Sequence, residues 1–253
     1  HPDSNGSLGI AISEAVEVAA TDPHTKYALG SVLNHVLLHQ TVIGQDAIEQ
    51  MALACDEPDV IIGCTGGGSN FAGLVLPYLG LKIKGRCHAR VVAVEPSACP
   101  SMTKGRFTYD FGDTGHLTPL VKMHTLGSTF VPPGIHAGGL RYHGMAPLIS
   151  HVVDLGLAEA VTVQQLDAFS AGIQFARAEG IIPAPEANHA VAEAIAEALR
   201  AKEEGKPRTI LFNLSGHGHF DMQSYIDYQA GKLQNYDYPE EEIAMALAGL
   251  PAV

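Results

Sequence analysis

The chain is poor in charge and poorer still in positive charge. Only 17% of its residues are Asp, Glu, Lys or Arg, and 15 basic side chains face 27 acidic ones for a net −12. Such a surface repels polyphosphate backbones and anionic membranes, so nucleic-acid binding and peripheral membrane association are not expected, although a local phosphate pocket remains compatible. The four cysteines, Cys55, Cys64, Cys87 and Cys99, include no C-x-x-C pair and no zinc-like spacing. A reduced, cytoplasmic compartment is the expectation. Every apolar stretch is broken by Gly, Pro or charge well short of the ~20 residues that cross a bilayer. There is no basic-then-apolar leader, internal repeat, low-complexity tract or Ser/Gly linker. The first residue is His1, not Met, which raises the expectation of processing or of a piece of a longer protein.

What is present is apolar mass, 46% of 253 residues, enough for a sizeable core. Asp59-Val-Ile-Ile-Gly63 reads as a buried parallel strand, followed at once by the glycine cluster Gly66-Gly67-Gly68-Ser69-Asn70 and a helical segment from Phe71 to Leu79. Arg90 to Glu95 is a second strand. Upstream, Ile48, Met51, Ala52 and Cys55 recur at helical spacing, which predicts an amphipathic helix over residues 42 to 55.

Downstream, Thr162 and Gln165 have capping-box spacing before a helix that stops at Gly180. After Pro183 and Pro185, a second helix carries an apolar stripe of Val191, Ala194, Ile195, Ala198 and Leu199, with Glu193 and Glu197 expected to face water. Thr209 to Phe212 is a third strand. Alternating strands and helices predict an α/β fold, a mostly parallel sheet flanked by helices. The stretch from about Met102 to Ile149 shows no clear periodicity.

Two polar loops follow strands and so fall at the carboxyl edge of the sheet, where ligands collect in this architecture. In the first, three consecutive glycines at a helix start allow several backbone N–H groups to converge on an anion, and Ser69 and Asn70 add side-chain donors. A ligand-free tight turn is the plainer alternative. The loop is not a Walker A motif, because no lysine follows Gly68, and its spacing is not that of a dinucleotide fingerprint. It suits a phosphate monoester.

The second loop, Ser215-Gly216-His217-Gly218-His219, offers a hydroxyl able to hydrogen-bond a heteroaromatic nitrogen, where a carboxylate would protonate it. A turn or cap role for Ser215 is equally compatible. His217, His219 and Asp221 are too sparse a set for a metal site and read as solvated turn residues. Glu186 opens the apolar-striped helix, where a carboxylate commonly offsets the helix dipole. Arg141, in Gly138-Gly139-Leu140-Arg141-Tyr142-His143-Gly144, could pair with a substrate anion or lie idle on a surface loop. No G-x-S-x-G elbow is present, which sets a serine hydrolase aside.

Together these segments resemble the β-subunit family of tryptophan synthase, most closely its second, β-like branch. Gly66-Gly67-Gly68-Ser69-Asn70 resembles the family's pyridoxal-phosphate cradle. Glu179-Gly-Ile-Ile-Pro-Ala-Pro-Glu186, followed by His189-Ala190, resembles its cofactor-facing acidic segment, and Asn213-Leu-Ser215-Gly216-His217-Gly218 its pyridine-nitrogen loop. Gly6 to Ala15 and Tyr27 to Gly44 extend the likeness, so that it covers essentially the whole chain.

The resemblance implies the C-terminal part of a fold-type II enzyme that uses pyridoxal 5'-phosphate to join L-serine and indole into L-tryptophan by β-replacement. It implies cofactor contacts at Gly66, Gly67, Gly68, Ser69, Asn70, Glu186, Ser215 and Gly216, and substrate contacts at Gly139 and Arg141. Backbone carbonyls of Gly66, Tyr142 and Gly144 are implied around a monovalent cation, K+ or Na+. A homodimer and an α-subunit partner belong to the same implication. Arg141 stands where the main branch has Asp, and His217 and His219 also depart from its pattern. No lysine here has the His-Lys-x-Asn context in which the family forms its Schiff base. Residues 1–253 are therefore expected to be mainly the phosphate-binding domain of a longer two-domain enzyme, inactive alone. A phosphate-binding module without catalysis, or another fold-type II enzyme such as a serine/threonine dehydratase or cysteine synthase, are the alternatives.

Overall fold

The computed structural model describes residues 4–237 and 240–252. Its helices are α1 (Leu8–Thr21), α2 (Asn34–Leu53), α3 (Ser69–Ile83), α4 (Pro147–Asp154), α5 (Gln165–Glu179), α6 (Pro185–Glu204), α7 (Met222–Gln229) and α8 (Glu240–Ala248). The strands are β1 (Val60–Cys64), β2 (Arg90–Pro96), β3 (Arg106–Phe111), β4 (Leu120–Thr125), β5 (Glu159–Val163) and β6 (Ile210–Phe212). Four of them form one parallel sheet in the order β5-β2-β1-β6. The α/β fold with a parallel sheet flanked by helices is as expected.

Both faces of the central strands are covered, which is why β1 reads as an unbroken apolar run instead of an alternating one. Ile61, Val91 and Ala93 pack with Phe71, Leu74 and Val75 of α3. Their neighbours Val60, Ile62, Val92 and Val94 point the other way, toward Ala190 of α6 and Leu140. Helices α2 and α3 cross at small residues: a Cβ on Gly44 would lie 2.3 Å from the Leu74 carbonyl oxygen, and one on Gly73 would lie 2.6 Å from that of Gln40. Pro77, whose Cγ would lie 2.8 Å from the same Cβ on Gly44, lacks an N–H and leaves the helix one bond short at that turn.

Several expectations need correction. The α2 helix begins at Asn34, eight residues before the amphipathic pattern, because Leu37 buries ahead of it in the core shared with α3. The Thr162/Gln165 capping box does not form: Thr162 belongs to β5, and Gln165 instead accepts from His136 N and donates to Gln234 O. The stretch from 102 to 149 contains an antiparallel hairpin, β3–β4, and a short 3-10 turn at Gly138–Leu140. Asp113 organises the hairpin tip by accepting from Ser13 Oγ, Leu117 N, Thr118 N and Thr118 Oγ1.

The largest correction concerns Glu193 and Glu197, which do not face water. Glu197 is completely buried and holds Arg90 Nη1 at 3.0 Å, Arg200 Nη2 at 2.5 Å and Arg208, while Glu193 pairs with Arg200. Burial raises the Glu197 pKa, but the arginines outweigh it and the carboxyl titrates below its ordinary value. This cluster ties α6 to the amino ends of β2 and β6.

Candidate functional site: a glycine cradle facing Ser215 and Glu186

The two adjacent parallel strands β1 and β6 end on the same edge, so the loops that follow them meet. Side chains lock the meeting. Asn213 Nδ2 donates to Asn70 Oδ1 at 2.7 Å, and Asn70 Nδ2 donates to the Cys64 carbonyl at 2.7 Å and to Cys64 Sγ at 3.5 Å. Cys64 Sγ in turn lies 3.6 Å from Ser215 Oγ. Burial pushes the Cys64 thiol pKa up, against the lowering effect of Ser215 and Asn70, so the group stays an S–H.

The glycines are required by what surrounds them. A Cβ on Gly66 would sit 2.1 Å from the Gly139 carbonyl oxygen, one on Gly67 would sit 2.3 Å from Ser31 Oγ, and one on Gly68 would sit 2.7 Å from Met145 Sδ. Gly68 also has φ of +100°, a left-handed conformation that side chains resist. The amide N–H groups of Gly66, Gly67, Gly68, Ser69 and Asn70 donate to no acceptor among the described residues, although the segment is largely buried. The last two open α3, whose dipole adds partial positive charge. A buried run of unpaired amides is costly unless an anion satisfies it.

The acidic segment joins the same edge. Ala184 N donates to Gly216 O at 2.9 Å and Gly218 N to Ile182 O at 2.8 Å, pinning the start of α6 to the Ser215 loop. Glu186 Oε1 accepts from Gly139 N at 2.9 Å, and Gly139 is the residue whose carbonyl abuts Gly66. His189, one turn along, donates Nδ1–H to the Pro185 carbonyl at 3.0 Å; burial lowers its pKa, and its buried Nε2 has no partner. Gly139 and Ser215 are exposed and Glu186 half-buried, so this edge opens to solvent.

The structure thus brings together Gly66, Gly67, Gly68, Ser69, Asn70, Gly139, Glu186, Ser215 and Gly216. Arg141 is different: its Nε donates to Pro133 O, and its Nη2 to Asn5 O, Gly6 O and Pro132 O. Backbone carbonyls take its Nε and Nη2, which holds the half-buried guanidinium in place. Of the cation-site residues, Tyr142 already accepts from Cys99 Sγ on its carbonyl, Gly144 bridges to Thr125, and Gly66 faces Gly139.

No group of three His, Cys, Asp or Glu among the described residues is placed to hold a metal, and His217 and His219 contact each other at 4.6 Å between rings. Sequence reasoning missed the parts of Cys64 and Asn213. Both stand inside the recognised motifs, but their pairing across 151 and 143 residues has no local signal.

A run of free amides at a helix start, with a hydroxyl on the neighbouring loop, on the carboxyl edge of a parallel sheet, is an arrangement able to hold an anion. The sequence matches the pyridoxal-phosphate dependent enzyme family over residues 4–216, and the chain belongs to that family. It is 62% identical over 232 residues to tryptophan synthase beta chain 2 of Methanosarcina acetivorans, covering 92% of this chain and 52% of that protein. To tryptophan synthase beta chain 2 of Thermotoga maritima it is 61% identical over 225 residues, covering 89% and 53%. The chain therefore spans about half the length of these relatives.

Among solved structures, the fold resembles a fungal L-serine ammonia-lyase from Rhizomucor miehei, with a TM-score of 0.56 and 16% identity over 80% of this chain and 58% of that one. A threonine deaminase of T.th. gives a TM-score of 0.54 and 18% identity over 72% and 56%. No helix among the described residues is long and apolar enough to cross a membrane.

The residues present fit pyridoxal phosphate on structural grounds: the amides lack acceptors, the glycines leave no room for side chains, and the Ser215 hydroxyl stands beside Cys64, two residues before the first of them. Three of the lysines are engaged elsewhere. Lys82 donates to Ala89 O, Lys122 lies over Phe107 and Lys232 pairs with Asp227.

Proposed function

We propose that this chain is the cofactor-phosphate half of a tryptophan synthase beta-like enzyme, which joins L-serine and indole into L-tryptophan. The observation that carries the reading is the run of unpaired amides from Gly66 to Asn70, fixed opposite Ser215 by Asn70 and Asn213. The high identity to two tryptophan synthase beta chains supports this substrate pair over those of a dehydratase or cysteine synthase.

Bound pyridoxal phosphate would supply an electron sink for breaking and making bonds at the β-carbon of an amino acid. The chain's own residues hold it. Amides of Gly66 to Asn70 and the α3 dipole would hold the phosphate, and Gly68 at positive φ supplies the turn into α3. Ser215 would offer its hydroxyl as a donor to the ring nitrogen. An aspartate there would leave the nitrogen protonated; a serine would leave it neutral, which suits β-replacement better than full carbanion chemistry. Glu186, held by Gly139 N, fixes the distance between α6 and the 3-10 turn and keeps that turn against Gly66.

The lysine that would bind the cofactor covalently is supplied from outside these residues, so the chain alone turns over negligibly. Substrate contacts at Gly139 and Arg141, a K+ or Na+ ion at the carbonyls of Gly66, Tyr142 and Gly144, a homodimer and an α-subunit contact belong to the same proposal.

Fluorescence titration with pyridoxal phosphate, competed by inorganic phosphate, tests the cradle. Weak, phosphate-competed binding that Gly66→Ala abolishes is expected. Tryptophan formation from L-serine and indole should then appear when the amino-terminal half of the Thermotoga maritima relative is added. Sustained turnover by the isolated chain, or pyruvate as the sole product after complementation, would overturn the reading.

A further inference from the structure

Cys64 is a buried thiol, 1% exposed, that the proposed chemistry leaves without a task. It ends β1 just before the glycine loop, and its Sγ lies 3.6 Å from Ser215 Oγ, a contact in which either atom can carry the hydrogen. The direction of that bond matters. A Ser215 hydroxyl that spends its hydrogen on sulfur has none to offer a ring nitrogen.

The neighbouring amides decide it. Asn213 Nδ2 donates to Asn70 Oδ1 at 2.7 Å, so the Asn70 oxygen is committed away from Cys64. Asn70 Nδ2 is directed at Cys64 instead, 2.7 Å from its carbonyl oxygen and 3.5 Å from Sγ. The sulfur, a weak acceptor, thus already takes one N–H. Burial, helped by the Glu186 carboxylate, raises the thiol pKa against Ser215 and Asn70, so the hydrogen stays on sulfur. Ser215 Oγ is the acceptor that this S–H reaches among the described residues. Were Ser215 the donor, the sulfur would accept twice while a buried S–H went unmet.

We infer, resting on the pyridoxal-phosphate reading of this site, that Cys64 is a positioning residue: its S–H donates to Ser215 Oγ and leaves the Ser215 hydrogen free for a ring nitrogen. The Ser215 hydroxyl makes no other hydrogen bond among the described residues, so no other group orients it. Accepting from sulfur also polarises its O–H, which becomes a better donor and a poorer acceptor. The site thereby favours a phosphorylated pyridine whose nitrogen is unprotonated. A pyridinium, which needs an acceptor, is disfavoured.

The test is the pH at which the ring nitrogen of bound pyridoxine 5'-phosphate takes up a proton. This ligand has no aldehyde and so needs no lysine. With the ring nitrogen isotope-labelled, NMR of the 253-residue chain at saturating ligand reads that pH whatever the affinity. Cys64→Ala is expected to raise it by about half a unit, a roughly threefold gain in proton affinity. Cys64→Val, which fills the buried volume without a donor, should raise it equally, and Cys64→Ser, which returns a donor, should restore most of it. In a Ser215→Ala background, Cys64→Ala should shift nothing, whereas a general loosening of the loop would still register. An unshifted value in both Cys64→Ala and Cys64→Val, a shift that Cys64→Ser fails to reverse, or one that persists without the Ser215 hydroxyl would overturn the role of Cys64 and leave the cradle standing. Failure of the unmodified chain to bind the ligand would overturn the cofactor reading, and this inference with it.

Discussion

Asn213 and Asn70, 143 residues apart, share a 2.7 Å hydrogen bond that closes a chain of contacts running through Cys64 to Ser215. Each amide has a defined orientation, because Asn70 Oδ1 must accept from Asn213 while its Nδ2 donates to Cys64. Loss of either asparagine therefore frees both loops at once.

Asn70→Ala and Asn213→Ala should each destabilise the chain by about 1–2 kcal/mol in urea denaturation. In a double-mutant cycle the pair should couple by roughly 1 kcal/mol, because the second change removes a bond already broken. Strict additivity would show that the two loops are held independently.

Gly66→Ala places a methyl 2.1 Å from the Gly139 oxygen and 2.9 Å from Leu140 Cα, both backbone, so neither can step aside as a flexible side chain would. The expected cost is about 1–3 kcal/mol, with loss of phosphate binding measured by competition. Gly80→Ala, where an added Cβ meets nothing within 4 Å and the position lies inside α3, is the matched control and should be neutral or slightly stabilising.

Glu95 gives a pH signature. Burial lifts its pKa from 4.5 to about 7, against hydrogen bonds from Met102 N, Thr103 N, Thr103 Oγ1 and Ser101 Oγ. A folded-state pKa above the unfolded value means that the fold binds more protons between pH 4.5 and 7, so stability from this group falls as pH rises through that window. His143 and His189 act oppositely: burial lowers their pKa, so their contribution is present above the ordinary histidine value and is lost as pH falls. Glu95→Gln should therefore make stability rise more steeply with pH across the window than it does in the unmodified chain. Parallel profiles from denaturation at several pH values would refute the assignment.

Glu197→Gln leaves Arg90, Arg200 and Arg208 around a neutral amide. The expected loss is roughly 3 kcal/mol, tempered because Arg90 and Arg200 are half exposed. The loss should shrink little in high salt, since the carboxylate itself is fully buried.

The parallel strands and the glycine loop are legible because their determinants are local: β-branched runs, then residues without side chains, then a helix start. Glu197 misleads for the opposite reason. Helical periodicity marks it as polar and therefore outward, whereas its partners Arg90 and Arg208 arrive from distant chain segments. Arg141 and the β3–β4 hairpin are obscure on similar grounds. The guanidinium is satisfied by four scattered carbonyls, and the hairpin tip is shaped by Ser13 of a remote helix reaching Asp113. Motif resemblance gathers the cradle, Glu186 and Ser215 onto one edge, but not Cys64, whose position depends on the Ser215 loop closing over β1.

Three neighbours, Gly139, Ser31 and Met145, press on the three glycines so closely that the loop's shape is settled before any guest arrives. Capture of an anion there needs no freezing of slack backbone. Association should consequently be fast and its heat-capacity change small, and calorimetry would see a lock already cut for its key.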